Sequence, residues 1–73
     1  MMARLSTSDY DALERAVTRG QRLAVLRRGT EYLVIPSRLY MREGREAIEA
    51  VHPTTGDRIT LMLDEIDSFE VVR

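Results

Sequence analysis

The sequence contains no cysteine, no tryptophan and no lysine, and its only histidine is His52. Without cysteine there are no disulfides and no thiolate metal sites. A single histidine is too few for a zinc site with the usual three or four protein ligands. No apolar run exceeds four residues, far short of a membrane-spanning helix, and the N-terminus lacks the apolar stretch of a signal peptide. We therefore expect a cytoplasmic protein that does not contact membranes.

Groups that carry catalysis are also scarce. His52 has no credible serine partner, and the glycines suit turns rather than a phosphate-binding loop. Asp64, Glu65 and Asp67 lie close together in sequence and could hold Mg²⁺ or Ca²⁺, although acids in this arrangement more often solvate and cap a turn. No calcium-loop spacing accompanies them. The sequence therefore predicts a binding protein rather than an enzyme, with no metal and no cofactor.

The chain has 73 residues, 44% of them apolar and 32% charged, which is typical of one folded domain spanning residues 1–73. Its charges are unevenly distributed. Residues 1–30 carry six arginines against three acids, whereas residues 43–70 carry eight acids against two arginines. Such asymmetry either provides two faces for two partners or lets the two halves of the chain attract each other.

A helix is predicted over about residues 8–19. Ser8 is the expected N-cap, with Asp11 reaching back from three residues later. Gly20 favours a stop after Arg19. Apolar residues recur in between at three- and four-residue spacing, which predicts one buried stripe: Tyr10, Leu13 and Val17.

After Gly20 the apolar pattern changes to a period of two. Turn signals at 28–30, 43–45 and 53–57 separate about five short strands in residues 21–72, and Pro36, which lacks a backbone donor, requires a bend or an edge position. We expect an α+β, mainly β fold, with the helix packed on a small five-stranded Sm-like or SH3-like bent sheet or barrel. The predicted core comprises Tyr10, Leu13, Val17, Leu23, Val25, Leu33, Ile35, Ile48, Ala50, Ile59, Leu61, Leu63, Ile66, Phe69 and Val71.

Two charged segments are candidate binding sites. Asp9, Asp11 and Glu14 surround Tyr10 at the helix start and could dock on a basic, nucleic-acid-binding surface of another protein; they are equally consistent with capping acids around a core tyrosine. The alternative site is a phosphate-binding surface for nucleic acid or a nucleotide, formed by Arg15, Arg19, Arg22, Arg27 and Arg28. Few aromatic residues are present on which bases could stack. Self-assembly into a ring or dimer through edge strands, with Met62 and Val72 facing outward, is a third possibility.

The residues 9–16, read as D-Y-D-x-L-E-x-A, resemble the start of the Rho-binding antiterminator family (Rof, also called YaeO). Residues 63–69 are similar to the L-D-x-I-x-S-F motif of the same family, at nearly the same separation. The resemblance implies a bacterial Sm-like barrel with an N-terminal helix that inhibits transcription termination by occupying the RNA-binding surface of Rho. It further implies that Asp9, Tyr10, Asp11 and Glu14 face the basic cleft of Rho.

A second resemblance is to the core of WYL domains, which are Sm-like ligand-sensing modules of bacterial transcription regulators. It covers residues 34–39, Gly44-Arg45, Ala50 and residues 63–66. The positions of the signature Trp-Tyr-Leu residues hold Glu46, Ala47 and Ile48 instead. Both resemblances imply an Sm-like barrel, and they imply different ligands.

Overall fold

The computed structural model describes residues 5–72, so residues 1–4 and 73 of the predicted domain lie outside the described part. One helix precedes five strands: α1 (Thr7–Arg19), β1 (Arg22–Arg27), β2 (Thr30–Arg42), β3 (Arg45–Val51), β4 (Arg58–Met62) and β5 (Ser68–Val72), with a 3₁₀ turn over Leu63–Glu65 between the last two strands. The helix packs on a five-stranded antiparallel sheet. The predicted α+β, mainly β fold class is confirmed.

The strands are ordered β4-β3-β2-β1-β5, and the sheet is not closed. Strand β2 belongs to both halves of the sheet, because residues 30–34 pair with β1 and residues 35–42 pair with β3. The register of the second pairing shifts between Pro36 and Arg38. This irregularity lies at the proline, where the sequence predicts a bend because a backbone donor is missing.

Tight two-residue turns join β1 to β2 and β2 to β3. Arg28 and Gly29 have φ of 51° and 78° in the first turn, and Glu43 and Gly44 have φ of 52° and 77° in the second. Positive φ at both central residues is typical of type I′ turns, whose twist matches that of the flanking strands. Both predicted turns are confirmed.

The core lies between the helix and one face of the sheet. Its fully or almost fully buried members are Leu13, Ala16, Leu23, Val25, Val34, Ile48, Ala50, Leu61, Leu63 and Ile66. Phe69, Val71 and Ile59 are partly buried against this cluster. Most of the predicted core is therefore confirmed, while Ala16 and Val34 are additional members.

The predicted core position of Leu33 is wrong, because this side chain is 44% exposed whereas its neighbour Val34 is completely buried. Val34 pairs directly with Leu23 of β1, and paired residues of an antiparallel sheet point to the same face. Leu33 pairs with Ala24 and therefore points away from the core. Ile35, two residues further along β2, points the same way as Leu33 and does not belong to the core cluster, so its predicted core position is wrong as well. Residues 32–35 are uniformly apolar, so alternation does not indicate which of them face the core.

The helix begins one residue earlier than predicted and ends as predicted. Its N-cap is Ser6, not Ser8. Gly20 follows in the left-handed conformation with φ of 64°, and its N–H donates to the carbonyls of Ala16 and Val17. Leu13 and Ala16 are the buried helical residues, whereas the predicted stripe residues Tyr10 and Val17 are only half-buried. Within residues 5–72, no helix is long and apolar enough to cross a membrane.

Candidate partner-binding surface

The helix start is held by a capping box that involves Asp9. The backbone N–H of Asp9 donates to Oγ of Ser6 over 3.1 Å, and the backbone N–H of Ser6 donates to Oδ2 of Asp9 over 3.2 Å. These two bonds satisfy donors that the first helical turn leaves without partners. The predicted cap by Ser8 and Asp11 is therefore wrong. The carboxylate of Asp9 has a structural role, and Asp11 has none in capping.

The solvent-facing side of the helix, hereafter the exposed helix face, combines residues from both predicted sites. A shallow depression on this side is lined by Asp11, Glu14, Arg15, Thr18 and Arg19. All five are exposed. Within the described part of the chain, none of the four charged side chains has a hydrogen bond or ion pair to another residue. Four unpaired charges of both signs thus share one helix face.

Tyr10 lies at the edge of this surface. It is half-buried and does not belong to the core cluster or to the apolar residues packed against it. Its ring is therefore partly accessible next to the acidic start of the helix. This position is consistent with a contact residue and with a residue that shields the helix–sheet junction.

The five arginines of the alternative site do not form one surface. Arg15 and Arg19 lie on the helix, and Arg22 begins β1, while Arg27 and Arg28 lie at the far end of that strand. A six-residue strand separates its terminal Cα atoms by about 16 Å. Arg22 directly precedes the buried Leu23 on β1 and therefore points to the opposite face of the sheet. A phosphate-binding surface on the helix side could therefore include only Arg15 and Arg19 of the set.

Intramolecular contacts engage the last two arginines. The guanidinium of Arg27 lies over the ring of Tyr32, 4.8 Å from its centroid, and Nη2 donates to the Tyr32 hydroxyl over 3.1 Å. Arg28 forms an ion pair with Glu65, with an Nη2–Oε2 distance of 3.8 Å. Arg27 is therefore held against Tyr32, whereas 79% of the Arg28 side chain remains exposed.

Two acids of the predicted cluster near the C-terminus, Asp64 and Glu65, are paired with arginines. Arg45 donates from Nε and Nη2 to both carboxylate oxygens of Asp64, and its Nη2 lies 3.4 Å from Oε2 of Glu65. The hydrogen bonds from Arg45 lower the pKa of Asp64 below its usual value, and the charge of Arg45 adds to this effect against a smaller opposing contribution from desolvation. Among residues 5–72, no group of acids or histidines is placed to hold a metal ion. Part of the charge asymmetry is therefore satisfied inside the fold.

Two further features are visible only in the structure. On the outside of β2, Arg38 stacks on Tyr40 at 4.3 Å from the ring centroid and forms an ion pair with Glu49 at 3.4 Å. On β3, Oε2 of Glu46 is buried and has no hydrogen-bond partner. The strand register determines both arrangements, and no local motif in the sequence signals them.

No family model matches this chain, and neither a curated protein nor a solved structure matches it. The exposed helix face and the two sequence motifs are therefore the features that indicate a function.

Proposed function

We propose that this chain is a small regulatory binding protein that places the exposed helix face on the basic, RNA-binding surface of a protein partner, with the termination factor Rho as the candidate partner. The observation that carries this proposal is that Asp11 and Glu14 are exposed and unpaired on a helix whose opposite side is fixed in the core. Bound in this way, the protein would inhibit transcription termination by excluding RNA from Rho.

The helix is suited to this role because it is ordered before binding. A capping box fixes its first turn and Gly20 terminates it, while Leu13 and Ala16 anchor it to the sheet. Asp11 and Glu14 are three residues apart, so their side chains are neighbours on the helix surface. A rigid pair of carboxylates loses little conformational entropy on binding. It excludes RNA from the same surface by electrostatic repulsion and by occupying the space.

Arg15 and Arg19 give the same face a mixed charge. Arg15 directly follows Glu14, and Arg19 lies one turn further along the helix. A partner must therefore offer cations opposite the acids and neutral or acidic groups opposite the arginines. This requirement selects one docking orientation and disfavours uniformly basic surfaces, because like charges brought together across an interface are costly.

The test is the affinity of purified Rho for this protein and for two doubly substituted variants. We expect the Asp11→Arg/Glu14→Arg variant to bind at least tenfold more weakly. The matched control is Glu43→Arg/Asp57→Arg, which makes the same change in net charge at two exposed residues in the connections between β2 and β3 and between β3 and β4. The control should retain binding. Circular dichroism and thermal melting should confirm that both variants fold.

Three outcomes would contradict the proposal. If the native protein does not bind Rho, the partner assignment is wrong. If the helix variant binds as tightly as the native protein, the exposed helix face is not the interface. If both variants lose affinity equally, net charge rather than the position of Asp11 and Glu14 determines binding. Competition with single-stranded RNA should further show that RNA and this protein exclude each other from Rho.

Direct nucleic-acid binding is the second candidate, because Arg15 and Arg19 are exposed and unpaired on the helix within residues 5–72. The two candidates predict opposite responses to the same substitutions. Asp11→Arg/Glu14→Arg weakens docking on a basic protein surface, whereas it strengthens binding to RNA by adding cations beside Arg15. Fluorescence anisotropy with labelled single-stranded RNA and no Rho present distinguishes them. Tighter RNA binding by this variant, with no Rho binding by the native protein, would make the arginines the functional site.

A further inference from the structure

The sheet has an apolar area on the face that points away from the helix and the core. Six residues form this outer apolar patch: Ala24, Leu26, Leu33, Ile35, Val51 and Val72. None of them belongs to the core cluster or is packed against it. Leu33 and Val72 are 44% and 40% exposed, and they are two of the three large hydrophobic residues with high exposure in the described part of the chain.

Strand register makes the patch continuous. Ala24 on β1 pairs with Leu33 on β2 and with Glu70 on β5, so these three residues form one row across the sheet. In the next row, Ile35 pairs with Val51 on β3. Neighbouring strands are about 4.8 Å apart, so side chains of adjacent rows and strands are in contact range. Contiguous exposed apolar area of this kind marks an interaction surface more often than scattered apolar residues do.

Charged residues of opposite sign are separated along the patch, with arginines at the level of Ile35 and acids in the rows of Leu33 and Leu26. Arg58 pairs with Val51, which pairs with Ile35. Arg22 pairs with Val72 and directly precedes Leu23, the partner of Val34, so it lies at the same level of the sheet as Ile35. Glu70 lies in the row of Leu33, and Glu31 lies in the row beyond it, where it pairs with Leu26. Within residues 5–72, none of these four charged side chains has a hydrogen bond or ion pair. The same surface therefore carries both positive and negative charges, so two copies of it can pair with each other.

We propose that a second copy of this chain binds the outer apolar patch, forming a two-fold symmetric dimer with Leu33 near its centre. The two-fold axis lies in the interface, parallel to the rows and between the row of Leu33 and the row of Ile35. It places the acidic row of each copy, with Glu70, over the basic row of the other copy, with Arg22. Arg22 of each copy then approaches Glu70 of the second copy. A symmetric contact of this type uses one self-complementary surface twice and closes at two subunits.

The size of the patch determines how tightly the dimer is held. It covers three rows on part of one face of a molecule that measures 29 × 23 × 22 Å. Interfaces that bury less than about 1,200 Å² in total are usually transient. We therefore expect an equilibrium between monomer and dimer that depends on protein concentration. The helix lies on the other side of the sheet, so dimerisation leaves both exposed helix faces accessible and does not depend on the proposed function.

Sedimentation velocity from about 10 µM to about 1 mM tests the proposal. The native protein should shift from the monomer mass of 8.4 kDa towards twice that mass as concentration rises. Leu33→Lys should weaken self-association at least tenfold. The matched control is Met41→Lys, because Met41 is even more exposed, at 61%, and is not part of the patch. The control should dimerise like the native protein.

Charge reversal tests the orientation of the two copies. Arg22→Glu and Glu70→Arg should each weaken dimerisation, and the double variant should restore it because every contact then has its charges exchanged. A native protein that remains monomeric at 1 mM would overturn the proposal. Dimerisation that survives Leu33→Lys would place the contact elsewhere, for example at the edges of β4 and β5. If the double variant does not dimerise like the native protein, the proposed two-fold arrangement of charges is wrong.

Discussion

Arg45 and Asp64 form a bidentate ion pair across 19 residues of sequence, with Nε–Oδ2 and Nη2–Oδ1 distances of 2.8 Å and 2.6 Å. The pair joins the start of β3 to the 3₁₀ turn that leads into β5. Paired hydrogen bonds between a guanidinium and a carboxylate fix geometry more strongly than a single contact. The ion pair between Arg45 and Asp64 therefore positions the connection between β4 and β5.

We expect Asp64→Asn to lower the melting temperature at neutral pH and low salt. The pKa of Asp64 is lower in the folded state than in the unfolded chain, so the ionised carboxylate stabilises the fold above the unfolded pKa of about 4. This contribution is lost as pH falls through the folded value. The difference in melting temperature between native protein and variant should therefore disappear on acidification below pH 4. A difference that is constant from pH 7 to pH 2 would show that the charge of Asp64 is not the cause.

The capping box predicts different effects for two neighbouring serines. Ser6→Ala removes the acceptor for the backbone N–H of Asp9 and should destabilise the protein by about 1 kcal/mol. Ser8→Ala replaces an exposed residue of the first turn that makes no capping bond and should change stability by less than about 0.5 kcal/mol. Urea unfolding of both variants measures the difference. Equal losses would contradict the assignment of Ser6 as N-cap.

Two leucines on adjacent strands provide a matched test of the sheet's inner face. Leu23 is completely buried, whereas Leu33 is 44% exposed. Leu23→Ala should cost about 2–5 kcal/mol, because it leaves a cavity in the core. Leu33→Ala should cost less than about 1 kcal/mol, and it should be measured at low protein concentration so that self-association does not contribute. If Leu23→Ala and Leu33→Ala cost similar free energy of unfolding, Leu33 lies in the core and the two faces of β2 are assigned the wrong way round.

The turn between β2 and β3 offers a stabilising substitution. Glu43 has φ of 52° and precedes Gly44, and asparagine tolerates this left-handed conformation better than glutamate does. Glu43→Asn should therefore raise stability by about 0.5–1 kcal/mol, measured by urea unfolding. Glu43→Ala is the control and should not stabilise the protein, because alanine has no local hydrogen bond that favours positive φ. If Glu43→Ala also raises stability, removal of the negative charge of Glu43 is the cause.

The arrangement of elements could be predicted from this sequence because turn residues and periodicity mark each boundary. Gly20, Gly29 and Gly44 all lie at turns or at the helix end, and the alternation from Arg58 to Met62 identifies β4 with its inner face. The phase of β2 could not be predicted, because residues 32–35 are uniformly apolar and only pairing with Leu23 decides which side chains are buried.

The candidate site was less predictable for a similar reason. Ser6 and Ser8 are each followed three residues later by an aspartate, so local pattern alone does not identify which pair caps the helix. A cap by Ser8 would give the structural role to Asp11, whereas the observed cap by Ser6 gives it to Asp9. The grouping of the arginines also depends on strand length, which separates Arg22 from Arg27 although both lie in the same basic segment.

The strand order has a consequence for how the chain folds. Strands β1 to β4 pair with their neighbours in sequence, and only the pairing of β1 with β5 joins distant segments. Closing a loop of about 40 residues costs more chain entropy than closing a tight turn, so we expect the consecutive hairpins to form first and β5 to dock last. Detachment of β5 should then require less free energy than opening of β2, so the backbone amides of β5 should exchange with deuterium sooner than those of β2.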